Sequence, residues 1–448
     1  MSVSKRKNDD ALEKATNVRW NKVGIILLIT YLAAFIDRTN MSIAAPSMTA
    51  KLGLTPSEMG VLLSSFFAGY VVSLAFAGYV VTRFGAKRSM VLSLIIFGLA
   101  SAATGITENY GQLIIVRMIL GIGEGFVFPA ITLFFVKWFP LNERGRISGL
   151  SLLAIPISGI IMSPMGGWLI AHWGYKEMFI VQGLPPVIMA LVILFKLFDS
   201  PLHDVDVNAK ELEIIKGNEL TNKNEKTPAT DVVRTVYLSP KMWLIGFVYL
   251  LWMTGLYGFN QWLPTLIAQA SGSGIQAVGW LTATPFVFAA IAMVWISRRF
   301  DKAQKKTSDT YYVIIPMALA GLALILQHYI GGNIWVQLMF LIVAGAGVHA
   351  AFGPWWPWAL QDVSESHTGY ASSMVLTIGN FGGIIGPMLV GFITGGGTVA
   401  DGGFYVIGYV LIISAGLGLV VGLNRNRFVK NKPVHHAIRD LTKDNILK

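Results

Sequence analysis

The sequence predicts an all-α membrane protein, twelve transmembrane helices in two six-helix pseudo-symmetric halves. Three observations lead there. Of 448 residues, 54% are apolar and only 13% charged, about half the charged share of a soluble chain, and mean hydropathy is +0.59. The charges are bunched between long uncharged runs, which suits neither a soluble enzyme nor a nucleic-acid-binding protein. Finally, those runs number twelve at the roughly 20 residues needed to cross a hydrocarbon core, and they fall as six plus six.

The first run, 23–47, follows a basic segment and continues through Asp37 and Arg38 without a small-residue cleavage site, so it reads as a retained span and not a signal peptide. The second, 60–81, carries Tyr70 and ends in the tight basic loop Arg83-Phe84-Gly85-Ala86-Lys87-Arg88. The third is 89–107. The fourth, 111–136, contains Arg117 and Glu124 among Gly121, Gly123 and Gly125, a small-residue spacing that close helix packing explains. The fifth and sixth are 147–171 and 178–198.

Residues 199–241 are too polar to span and read as a linker with one short surface helix. The polar stretches Lys210-Glu211-Leu212-Glu213 and Thr221-Asn222-Lys223-Asn224-Glu225-Lys226 lie there. The second half then runs 242–267, 277–297, 311–331, 334–359, 369–394 and 403–423. Its second span also ends in a basic loop, Arg298-Arg299-Phe300-Asp301-Lys302, a weak internal repeat of the kind secondary transporters show. The domains expected are therefore an N-terminal segment 1–22, a bundle 23–198, the linker, a bundle 242–423 and a tail 424–448.

Lysine and arginine set the topology. With the N-terminus in the cytoplasm, only Lys51 and Lys176 fall on the far side and only Arg38 and Arg117 lie inside spans; every other basic residue is cytoplasmic. That bias predicts a multi-pass protein of the inner (plasma) membrane with both termini cytoplasmic.

Charged groups inside spans are costly and mark function by default. At about 1.5 Å per residue, Asp37 and Arg38 lie roughly 20 Å from the cytoplasmic end and Arg117 about 10 Å from the external one, nearly one level. Glu124 follows Arg117 by two turns on one face. The four sum to zero charge with both acids ionised. A proton on either acid leaves an arginine uncompensated, and an anion is then favoured. Asp37 and Glu124 are thus the proton-coupling candidates and Arg38 the carboxylate contact, since its fork matches a carboxylate. Arg117 is an equal candidate for substrate binding or for orienting the acids, and the whole set would also serve as ion pairs joining helices one and four.

The second half offers neutral groups: Tyr257, Asn260 and Gln261 on helix seven and Asn380 on helix eleven, each equally able to bond a neighbouring helix. Helix ten carries Gly353-Pro354-Trp355-Trp356-Pro357-Trp358, whose prolines must break or kink it. Trp355 and Trp356 are open to a substrate-facing or a belt role, and Trp358 reads as an interfacial anchor. His349 is either titratable or a packing group.

The chain has no cysteine, so disulfides, thiolate metal sites and cysteine catalysis are excluded. No phosphate loop, metal-ligand spacing or nucleophile elbow occurs. No enzyme activity, catalytic residue, metal or cofactor is expected; a proton gradient would supply the energy.

Asp37-Arg38-Thr39-Asn40, Arg117 to Glu124 with Phe128-Pro129-Ala130, and Trp138-Phe139-Pro140 with Glu143-Arg144 resemble the major facilitator superfamily and, within it, the anion:cation symporter family. The resemblance covers all twelve spans. It implies proton-driven uptake of organic anions, sugar acids such as aldonates, hexuronates and aldarates among them. It further implies that Asp37 and Glu124 carry protons, that Arg38 meets the substrate carboxylate, that Tyr70 lies in the site, and that the protein is a monomer whose partners are the anion, protons and the bilayer. Two departures stand out: Thr82 replaces the aspartate expected four residues after Gly78, which calls a latch built on that acid into question, and helix five has Pro156 where a polar contact is expected. The competing readings are an anion exchanger or exporter, uptake of a dicarboxylate or an aromatic acid, and a sensor or scaffold that keeps the fold without transport.

Overall fold

In hydrocarbon a backbone must bond to itself, so apolar runs become helices. The computed structural model describes residues 15–216, 232–303, 309–395 and 397–424; the polar stretch 221–226 and the tail beyond 424 lie outside the described residues. Among the described residues twelve helices are long and apolar enough to cross a membrane: α1 (Arg19–Leu52), α2 (Pro56–Phe84), α3 (Ala86–Ile106), α4 (Tyr110–Trp138), α5 (Leu141–His172), α6 (Tyr175–Lys196), α7 (Pro240–Ser271), α8 (Ile275–Ala303), α9 (Asp309–Ile330), α10 (Ile334–Leu360), α11 (His367–Thr394) and α12 (Gly402–Leu423). Most overrun the hydropathy-based spans, because helical hydrogen bonding continues past the point where side chains turn polar.

Local chemistry sets the ends. Thr55 and Glu58 form a reciprocal cap on α2: the Glu58 amide donates to Thr55 Oγ1 at 3.2 Å and the Thr55 amide to Glu58 Oε2 at 2.8 Å. Asn109 and Asn333 cap α4 and α10. Interruptions fall at Gly125–Phe126 in α4, Leu153 in α5, Gly183 in α6, Ala351 in α10 and Phe381 in α11.

Helices α1–α6 pack into one bundle and α7–α12 into another, meeting along α2 with α11, α5 with α8, and α1 with α7. At the end away from the linker, glycines bring the bundles into backbone contact. A Cβ on Gly60 would stand 2.8 Å from the Pro387 carbonyl oxygen, and one on Gly279 would stand 2.4 Å from that of Ser163. Across the same seam the Ser64 hydroxyl donates to the Ile384 carbonyl at 2.8 Å. Toward the linker end the bundles part around a central cavity.

The linker end is held by charge. The Arg19 guanidinium donates to both Glu143 oxygens at 2.8 Å and pairs with the buried Glu211 of the linker helix Ala209–Lys216 at 2.8 Å. Lys22 bridges Asp204 and Asp206. In the loop after Thr82, Asp199 Oδ1 accepts the Lys87 amide at 2.9 Å, placing a carboxylate on the N-terminus of α3 beneath Gly85, whose φ of +88° requires glycine.

Candidate functional site

The central cavity has a volume of about 530 Å³ and is walled by both bundles. Arg38 and Tyr70 of the first half line it, as do Tyr257, Asn260, Gln261 and Asn380 of the second. Those six predicted residues come together. Asp37, Glu124 and Arg117 lie directly behind the wall, all buried.

Arg38 is the group that reaches from the buried cluster into the cavity, with 10% of its side chain exposed. Its Nε donates to Glu124 Oε1 at 2.5 Å. Its guanidinium carbon sits 4.7 Å from the Phe35 ring centre, 5.2 Å from Phe66 and 4.5 Å from Tyr70, so aromatic faces hold the cation in a partly desolvated position. Tyr257 reaches the same guanidinium from the second half.

Arg117 has a different environment. All three of its guanidinium nitrogens are buried without a hydrogen-bond partner, and Phe66, the ring that Arg38 also approaches, lies 5.4 Å away. Of the two roles open to Arg117, substrate contact and orienting the acids, its place off the cavity wall goes against the first and fits the second. Asp37 Oδ1 accepts from Asn40 Nδ2 at 2.8 Å and from the Ser101 hydroxyl, while Oδ2 has no partner; Glu124 Oε2 has none either. The cluster thus contains two orphan carboxylate oxygens and one orphan cation, an arrangement with free capacity for a proton and a further bond.

The glycines of α4 make this possible. A Cβ on Gly121 would overlap the Phe66 carbonyl oxygen at 2.0 Å and one on Gly123 would meet the Phe97 amide nitrogen at 2.9 Å. With them α4 lies backbone-to-backbone on α2 and α3, and the helix interruption begins immediately after Glu124.

Two aromatic expectations change. Trp355 is fully buried off the wall and stacks on Tyr249 at 4.9 Å, whereas Trp356 lines the cavity; the break at Ala351 resets the helical phase, so one residue's offset decides. Trp358 is not an interfacial anchor: it is fully buried and its Nε1 donates to Thr310 Oγ1 at 3.1 Å. His349 is buried off the cavity, Nδ1 at 2.8 Å from the Gly345 carbonyl.

Sequence reasoning missed Ser101 as a partner of Asp37, and it missed most of the aromatic wall: Tyr31, Phe35, Phe67, Phe128, Tyr249, Phe286 and Phe352. Among the described residues, no three His, Cys, Asp or Glu gather as a metal site.

Comparison with known proteins agrees with this architecture. The profile of the Major Facilitator Superfamily matches residues 27–387. A candidate tartrate transporter of Agrobacterium vitis is 27% identical over 91% of both chains. The hexuronate transporter of Bacillus subtilis (strain 168) is 26% identical over 90% of this chain and 94% of its own. Among solved structures, a bacterial homologue of the human lysosomal transporter Spinster, inward-facing and unoccupied, superposes with a TM-score of 0.76 at 15% identity, covering 93% of this chain and 100% of that one.

Proposed function

The chain belongs to the Major Facilitator Superfamily, a multi-pass membrane transporter and not an enzyme, and from that premise we propose that it is a proton-coupled symporter importing a small hydroxylated carboxylate, a sugar acid of the aldonate, hexuronate or aldarate kind. The observation that carries this reading is the sharing of Arg38 between Glu124 and the cavity.

While Glu124 is ionised, it occupies the Arg38 Nε donor. When Glu124 takes a proton, that donor is released and the low-dielectric pocket holds uncompensated positive charge, which a substrate carboxylate neutralises as a bidentate partner. Proton and anion then bind together or not at all. Asp37, facing the interior cation Arg117, is the second proton carrier. The amides of Asn260, Gln261 and Asn380 meet the hydroxylated end, and aromatic rings cover the sugar's apolar face. The names of the tartrate and hexuronate relatives support the substrate class. No cofactor is needed, since the proton gradient drives the cycle.

The bias of the basic residues supports a cytoplasmic linker end and cytoplasmic termini, and on that reading this conformation is the one that releases substrate inward. Rocking of the bundles about the cavity would separate the glycine seam and close the linker end. A second reading has one observation in its favour: ten of the wall residues are aromatic, which suits an aromatic acid.

Proton entry into proteoliposomes tests both readings as hexonates, hexuronates, aldarates, simple dicarboxylates and aromatic acids are added singly. Inward proton movement with a sugar acid supports the first reading; movement with aromatic acids alone replaces it with the second. Silence across the panel, with the protein shown to be folded, points to exchange or efflux and removes symport.

A further inference from the structure

Helices α8 and α9 are consecutive but touch little. Between them lies a second cavity, a groove of about 660 Å³ on the outer face of the second bundle. Phe288, Trp295, Ile315 and Leu319 form its walls and Ala346 and Gly347 of α10 its floor. The floor is deep because α10 has no side chain there: a Cβ on Gly347 would stand 2.5 Å from the Pro316 carbonyl oxygen. The only side-chain polar atoms among the lining residues are the Tyr311 and Tyr312 hydroxyls and the Trp295 indole nitrogen, so the groove suits hydrocarbon and not water or the transported anion.

Its charge is what distinguishes this groove from any lipid-facing furrow. On α8 the lining residues are Phe288, Ala292, Trp295 and Ile296. Continuing that stripe by three or four residues reaches Arg299 and then Lys302. The Arg299 guanidinium is 5.1 Å from the Trp295 ring centre, so it stands over the groove wall. Neither Arg299 nor Lys302 has an ion-pair partner among the described residues. Arg298 and Asp301 lie off the stripe, and Asp309 opens α9 at the same end.

We infer that this face binds an anionic glycerophospholipid, with an acyl chain in the groove and the phosphate at Arg299 and Lys302. Tyr311, Tyr312 and Trp295 mark the level of the headgroup, where aromatic residues with polar tips reside. From Tyr311 to Leu319 the groove runs about 12 Å along α9, the upper part of an acyl chain. A zwitterionic lipid fills the same groove but gains less from two unpaired cations.

The test is native mass spectrometry of the purified full chain in detergent, with phosphatidylglycerol or phosphatidylcholine of identical chains added. The wild type is expected to retain phosphatidylglycerol about 30-fold better, two basic residues at roughly 1 kcal/mol each. Arg299→Gln with Lys302→Gln abolishes that preference, and Arg298→Gln at the same end, off the stripe, keeps it. Ala346→Phe, which fills the floor, lowers retention of both lipids. Equal retention of the two lipids by the wild type, or an unchanged preference in the double variant, overturns the assignment. Because binding is read without transport, this result is independent of the substrate and its coupling.

Discussion

The two bundles share a helix count and a packing plan but not a chemistry. In the first, Asp37, Arg38, Arg117 and Glu124 sit inside the spans, buried or nearly so. In the second, away from the helix ends, the described wall carries rings, amides, hydroxyls and the apolar Met253, Leu256 and Leu376, with no charged group. An ion inside a membrane protein costs several kcal/mol unless compensated, so a structure gathers its charges where they serve one another. Under the proposed function this becomes a division of work: the first bundle would couple proton to anion, and the second would shape and recognise the remainder of the substrate.

Substitutions on the two sides of the cavity should therefore differ in kind. Among the described residues Arg38 is the only cation on the wall, so Arg38→Ala should lower uptake about 100-fold, the loss of a strong charge-assisted contact of roughly 3 kcal/mol, and should also lower the melting temperature, because the buried Glu124 carboxylate loses its ion-pair partner. Initial-rate uptake of the identified anion checks this, and uptake within threefold of the wild type would remove the contact. Arg117→Leu strikes the interior of the same bundle. The Arg117 guanidinium has no hydrogen bond to lose among the described residues, so transport should fall while the melting temperature stays within a few degrees of the wild type; thermal unfolding in detergent separates it from the Arg38 variant.

On the second-bundle side, Asn380→Ala should raise KM about 3- to 10-fold, one neutral hydrogen bond at roughly 1 kcal/mol, while accumulation stays proton-driven. An Asn380 variant that transports but no longer follows the pH gradient would erase the division between the halves. The smallest effect is expected at the linker end. Lys22 donates to Asp206 and holds its carboxyl below the ordinary value of 3.8. A carboxyl depressed in the folded state stabilises above its unfolded pKa, and that contribution is lost as pH falls through the depressed value. Asp206→Asn should therefore lower Tm near neutrality, by no more than about 1 °C for so exposed a pair, and leave it unchanged in strong acid.

Much of this contrast was legible in the sequence. Charges within apolar runs identify themselves, the polar groups within the second-half spans offered Tyr257, Asn260, Gln261 and Asn380, and the family resemblance pointed to Tyr70; all of these line one cavity with Arg38. What hydropathy cannot separate is an apolar residue facing lipid from one facing a cavity, so the rings of Tyr31, Phe128 and Phe286 stayed hidden. Depth alone also left Arg117 open between substrate contact and orienting the acids; its place off the wall beside the Phe66 ring is a tertiary fact. Trp355 and Trp356 were indistinguishable because the phase across Ala351 depends on a break whose angle no local pattern reports. Ser101 and Asp199 were missed for another reason: each acts on a residue far away in sequence, Asp37 and Lys87, through contacts that the packing of α3 against its neighbours creates.

The central claim is that Glu124 trades Arg38 for the substrate when it is protonated. Its most direct test compares two assays of Glu124→Gln in proteoliposomes, uphill accumulation under an imposed pH gradient and exchange of labelled for unlabelled substrate. A neutral glutamine imitates the protonated acid and cannot release its proton, so accumulation should vanish while exchange persists. Accumulation at the wild-type level in the Gln variant would contradict the account.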